Sequence, residues 1–277
     1  MIYRRVQGAY ALIPQAQIAE LAAGLVSHLG KNFSPANHPA DVVEALHLAE
    51  SGFDLLDDTP PITADGRPMP FTQLSMTSLL NAWSQSSEQA SHASNPYVQL
   101  LVSVQSLQRS GTFLPRNHTT REIFELNRMQ QLEIVRQEQL RPALGLRNDI
   151  PMRCGLPDTT LLTETEQRFF YDCRLLSLLW QIALEASAHA RTSGEFGAFA
   201  PRPAAATLIV RCQWLPAQQL TLTPWPFTSA QLPLSVSGKL VPSHMYDHEK
   251  VLHEAMDHAS EVTIEAVLCE SNTDSAR

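Results

Sequence analysis

His47 and Glu50 stand three residues apart in Ala45-Leu46-His47-Leu48-Ala49-Glu50, a spacing that puts an imidazole and a carboxylate on one helix face. Asp54, Asp57 and Asp58 follow in an acidic turn. Together His47, Glu50, Asp54 and Asp57 offer the nitrogen and oxygen donors from which a divalent-cation site is built, and a bound cation makes water a nucleophile at neutral pH. The acidic turn lacks calcium-loop spacing, so its ordinary role is to cap neighbouring structure and face solvent. His244, His248, His253 and His258 form the densest group of histidines. A helix puts the first two on one face, but the later gaps of five turn successive rings about 140° apart, so the four do not make one site. Cys173 precedes Arg174, yet adjacent helix positions diverge, and Cys173 reads as a core residue rather than an activated thiol. No Ser or Cys sits in a nucleophile elbow, and no glycine loop is present to cradle a phosphate.

The bulk properties narrow the function classes. The net charge of −8, from 28 acidic and 20 basic residues, opposes general nucleic-acid binding, which requires a basic face to displace counterions. No apolar run reaches the length of a membrane span, and Met-Ile-Tyr-Arg-Arg at the start is not followed by a signal core. Cys154, Cys173, Cys212 and Cys269 are too widely spaced for a metal knuckle or a disulfide framework. These features predict a soluble cytoplasmic protein with no cofactor.

The elements that must position these residues read as α+β. Ile2–Val6 and Ala9–Ile13 alternate as strands around Gln7-Gly8. Pro14 opens a helix in which Ile18, Leu21, Ala22, Leu25 and Val26 recur at helical spacing. Asp41 caps a second helix, and Asp54–Phe71 is a long Pro/Asp/Gly connection of the kind that often lies across a site. Helices are expected over 72–90, 95–110 and 119–141, the last with mixed charges that suit an exposed or edge helix. Residues 143–162 are rich in Pro and Gly, and Phe169–Ala190 is the most apolar helix and so the central one. Thr192–Pro203 reads as a linker. Thr207–Trp214, Gln219–Thr223 and Leu232–Gly238 read as strands, Tyr246–Ala259 as an amphipathic helix and Val262–Leu268 as a closing strand. The expected architecture is one domain over 1–277. A mainly helical body of 15–190 carries a small antiparallel sheet from 2–13, 205–238 and 262–268. Pro224-Trp225-Pro226-Phe227 is expected to clamp an aromatic pair over the body.

Several stretches, in order, resemble an uncharacterised bacterial family catalogued as domain of unknown function 3891. They are Leu12-Ile13-Pro14-Gln15 with Ala19-Glu20-Leu21, Gly52-Phe53-Asp54-Leu55-Leu56-Asp57-Asp58-Thr59-Pro60, Asn95-Pro96-Tyr97 with Leu100-Leu101-Val102-Ser103, Leu176-Ser177-Leu178 and Pro224-Trp225-Pro226-Phe227. That family looks similar to the HD superfamily of helical, metal-dependent phosphohydrolases, which hold their ion with His and Asp from several helices. Carried over motif by motif, the resemblance puts the ligand positions at Ile18, Ala49, Glu50, Gln105 and Arg174. Only Glu50 keeps a ligand-capable carboxylate, and a guanidinium at Arg174 repels a cation. The resemblance therefore implies an HD-like body whose metal site is lost, with Glu50 and Arg174 expected to pair near Gln105.

The leading expectation is a non-catalytic module that binds a small anion or a protein partner at the former ligand positions Ile18, Ala49, Glu50, Gln105 and Arg174, where a guanidinium suits phosphate or carboxylate. The competing expectation is a phosphohydrolase with a rearranged metal site at His47, Glu50, Asp54 and Asp57. A third is a structural subunit that binds a partner through an exposed apolar surface.

Overall fold

The computed structural model describes residues 1–6, 8–92, 95–112, 119–149, 162–189 and 192–271. The N-terminal hairpin pairs β1 (Ile2–Val6) with β2 (Ala9–Ile13), and Gly8 at its turn takes φ +85°, where a side chain is strained. Gln7 of that turn lies outside the described residues. The helices follow: α1 (Gln15–Val26), α2 (Pro39–Glu50), the short α3 (Asp54–Asp58), α4 (Met76–Ser91), α5 (Pro96–Thr112), α6 (Thr120–Leu140) and α7 (Glu164–Ala188). The acidic turn at 54–58 is thus itself helical. The Pro/Gly-rich stretch expected over 143–162, with Cys154 in it, lies largely outside the described residues.

The C-terminal third corrects the expected fold class. About half the protein is helical, but the sheet is a large, mixed, curled half-barrel of seven strands, not a small antiparallel sheet on a mainly helical body. The added strands are β3 (Ser193–Phe199), β4 (Leu208–Leu215), β5 (Gln219–Thr223), β6 (Gln231–Pro242) and β7 (Ser260–Glu270), in the order β1-β2-β6-β7-β5-β4-β3. Every pairing is antiparallel except β5 with β7. The segment read as a linker supplies the seventh strand. Its glycines weaken strand propensity, but a register shift between Glu195 and Ala198 accommodates them while Phe196 and Phe199 bury themselves. β6 and β7 also outrun the expected ranges, because they pair with each other all the way from Gln231 opposite Cys269 to Leu240 opposite Ser260.

The sheet curls around α7. That helix packs on α1, α2 and α5 and also on β1, β3 and β7, so one hydrophobic cluster runs from Ile2 and Ala11 through the helices to Leu222 and Leu268. Arg4 on edge strand β1 reaches Gln218 in the β4–β5 turn, and Trp214 on β4 donates to Glu185 of α7 at 3.0 Å. A smaller cluster forms where α8 (Glu249–Asp257) brings Leu252 and Met256 to Tyr10, Leu12 and Val241. Trp225 and Phe227 form an edge-to-face pair at 5.1 Å, fully within the core, as the clamp reading expects. Among the described residues no helix is long and apolar enough to cross a membrane.

Candidate functional site

Two polar constellations flank α7, one sealed and one open. The sealed one starts at the C-terminal end of α2. Val42, Ala45, Leu46, Ala49 and Glu50 form the buried stripe of that helix, so helical spacing carries Glu50 into the core at 1% exposure. On α5, Val98, Val102, Gln105 and Arg109 recur at i, i+4, i+7 and i+11, which brings Arg109 to the same place. Its guanidinium forms an ion pair with Glu50, lies 4.2 Å above the Trp180 ring of α7 and reaches the Ala49 carbonyl at 3.4 Å. A cation at a helix C-terminus is favourable there, whereas the Glu50 carboxylate is not. Ser86 of α4 donates to the same carbonyl at 3.0 Å and accepts from Gly52 N at 3.0 Å. That approach requires glycine, since a Cβ at position 52 would lie 1.9 Å from the Ala82 carbonyl oxygen.

A second buried pair adjoins the first. Asp57 of α3 forms an ion pair with the amino group of Met1 and accepts from the backbone N–H of Gln15. Two carboxylates and two cations thus balance inside the core. Burial raises the Glu50 pKa to about 6, against the pull of Arg109, and the neighbouring Asp57 charge pushes the same way as burial. Burial also raises that of Asp57. Because the folded value for Glu50 exceeds the unfolded one, its stabilising term is complete below the unfolded value and is lost as pH rises through about 6. The rise from 4.5 to about 6 corresponds to about 2 kcal/mol. Glu50→Gln has no such term. Its stability relative to the parent, read from urea denaturation, is expected to improve by about that amount between about pH 4 and about pH 7. A constant difference across that range would contradict the assignment.

The residues singled out from the sequence distribute differently. Ile18 and Ala49 are buried, and Gln105 is bonded to α7 through Cys173 O at 2.9 Å and Ser177 Oγ at 2.8 Å. The cation that meets Glu50 is Arg109, one turn beyond Gln105, while Arg174 is half-buried on α7. The Cys173 thiol is fully buried, and burial pushes its pKa well up, as suits a core residue. His47 turns outward to Glu20 of α1 at 3.0 Å, Asp54 is exposed, and Glu50 and Asp57 are held by separate cations. These four do not fit a metal ion, and among the described residues no three His, Cys, Asp or Glu side chains come together to hold one. His253 contacts the Pro60 carbonyl and His244 the Tyr246 ring, so the late histidines serve separate surroundings.

The open constellation was missed in the sequence. Asp172, within the apolar run of α7, accepts from Asn37 N at 2.9 Å, Asn37 Nδ2 at 3.0 Å, His38 N at 3.1 Å and the Tyr97 hydroxyl at 2.9 Å. One carboxylate therefore ties α7 to the starts of α2 and α5. Burial raises its pKa against those four bonds, and burial with the adjacent Asp172 charge raises that of Tyr97. The His38 ring lies 4.5 Å from the Tyr97 ring, and His38 Nδ1 is 3.6 Å from Asp41. Asn95 donates to Asp41 at 2.8 Å and accepts from Tyr97 N at 2.8 Å. In front of them is a cavity of about 700 Å³ with Leu144, Leu146 and Phe169 as its apolar part and Glu164, Thr165 and Arg168 on its wall. None of Ile18, Ala49, Glu50, Gln105 and Arg174 is on that wall. A carboxylate set among aromatic residues, Phe169-Phe170-Tyr171-Asp172, between Arg168 and Arg174, was the legible signal.

Fold and sites together define a mixed α/β protein with a sealed charge cluster on one side of its central helix and an open polar cavity on another. Residues 1–243 match the family model described as protein of unknown function (DUF3891), and the chain belongs to that family. No curated protein and no solved structure matches it, so the expected likeness to the HD superfamily gains no support from either comparison.

Proposed function

We propose that this protein is a non-catalytic binding module whose ligand occupies the cavity at the starts of α2, α5 and α7. The observation that carries this reading is the convergence of three helix N-termini on one open space. Each turns the positive end of its dipole toward that space, although Pro39 and Pro96 open α2 and α5 without an N–H and Asn95 and Thr163 already accept from Tyr97 N and Glu166 N. Arg168 and His38 add to that attraction, but Arg168 is already ion-paired with Glu164, and Glu164 and Asp41 both share the wall. A bare anion would meet both carboxylates. The better fit is a small zwitterion or hydroxylated acid, whose acidic end faces Arg168 and the helix ends while its donors face Asp41 and Glu164. The sealed cluster supports the non-catalytic reading, since Glu50, the one carboxylate among the positions the resemblance singles out, pairs with Arg109 beneath the surface.

A thermal-shift panel of amino acids and hydroxy acids beside inorganic phosphate and sulfate tests the proposal. A member of the first group is expected to raise Tm, with calorimetry showing binding that weakens about ten- to a hundredfold in Arg168→Ala. Stabilisation by phosphate alone, or equal binding by Arg168→Ala, would overturn it.

A further inference from the structure

The buried face of α6 is made by Leu126, Met129, Glu133 and Gln137. On the opposite face Arg121, Phe124, Arg128, Gln131, Val135 and Glu138 recur at alternating gaps of three and four, and all six are exposed. Phe124 is 67% exposed and Val135 40%, with Leu132 at 56% beside them. Alternating gaps of three and four are the spacing at which two helices can meet along a seam, here with apolar side chains at Phe124 and Val135 and charged or amide side chains at the other four positions. A helix fixed at its start by a Thr119–Glu122 capping box presents this seam along its whole length, about 30 Å.

The seam is complementary to itself in one direction. Laid antiparallel on a second α6, Arg121, which pairs with Glu125 of its own helix at 3.0 Å, faces Glu138, while Phe124 faces Val135 and Arg128 faces Gln131, and the two-fold repeats each pair. Laid parallel, Arg121 would face Arg121 and Glu138 would face Glu138, which is repulsive. We propose that α6 is a self-association surface, docking antiparallel on α6 of a second copy of this chain. Only one helix per copy enters the contact and only two seam positions are apolar, so the dimer exchanges with monomer rather than persisting at all dilutions. The proposal uses no residue of the ligand cavity.

Sedimentation velocity of the full chain over a dilution series is the test. The parent is expected to pass from dimer to monomer on dilution, and Phe124→Glu to stay monomeric with unchanged circular dichroism. Arg121→Glu and Glu138→Arg are each expected to weaken the dimer about tenfold, while the double variant regains the parent's affinity because the pairs are restored with signs exchanged. A parent that is monomeric at every concentration would overturn the proposal, as would a dimer indifferent to Phe124→Glu or a double variant no better than the singles.

Discussion

Arg109→Ala is expected to cost about 3–5 kcal/mol of stability at neutral pH, because it leaves a buried carboxylate without its cation. The guanidinium does three things at once. It neutralises Glu50, covers the Trp180 ring at 4.2 Å and closes the last carbonyls of α2 through Ala49. Without it Glu50 must either remain charged in the core or take up a proton. The deficit is therefore expected to shrink in acid, where Glu50 is already neutral. The double variant Glu50→Leu/Arg109→Met removes both charges and keeps the volume, and is expected within about 1 kcal/mol of the parent. Urea denaturation of the three proteins at two pH values checks all of this. A double variant as unstable as Arg109→Ala would show that the charges do more than fill the core.

Asp172→Ala is expected to cost roughly 3–4 kcal/mol, a second large loss by a different route. It orphans two backbone N–H groups and the Tyr97 hydroxyl together, and leaves the Asn37 amide with only its bond to the Arg168 carbonyl at 3.0 Å. Asp172→Asn keeps one acceptor oxygen and is expected to lose about half as much. Because the same bonds hold the starts of α2 and α5 against α7, Asp172→Ala should also abolish ligand binding in the cavity at temperatures where the variant is still folded. Thermal denaturation and calorimetry on the same samples separate the two effects. A stable Asp172→Ala protein would mean that these bonds are replaceable by solvent.

What the sequence disclosed follows from how local each signal is. Helices α1, α2, α5 and α6 were legible because their buried stripes recur at helical spacing within a single segment. β3 was not, since Gly194 and Gly197 make it look like a linker and only its pairing with β4 makes it a strand. The resemblance put Arg174 beside Glu50, whereas the ion pair at Glu50 is made by Arg109. Both Arg109 and Arg174 are arginines on central helices, and only the helix–helix crossing selects between them. The Asp172 anchor joins residues 135 and 75 positions apart in the chain, so no window along the sequence contains it. The cavity is likewise a product of three helix starts that are remote in sequence.

The most direct test of the ligand-site proposal is the imidazole region of an NMR spectrum during titration with the ligand that raises Tm. Among the described histidines, His38 alone lines the cavity wall. The His38 ring resonances are expected to move in a saturable way while those of His47, His244 and His253 stay fixed, and Arg168→Ala is expected to remove the movement. Saturable shifts at His47 with His38 unmoved would place the ligand elsewhere and contradict the proposal.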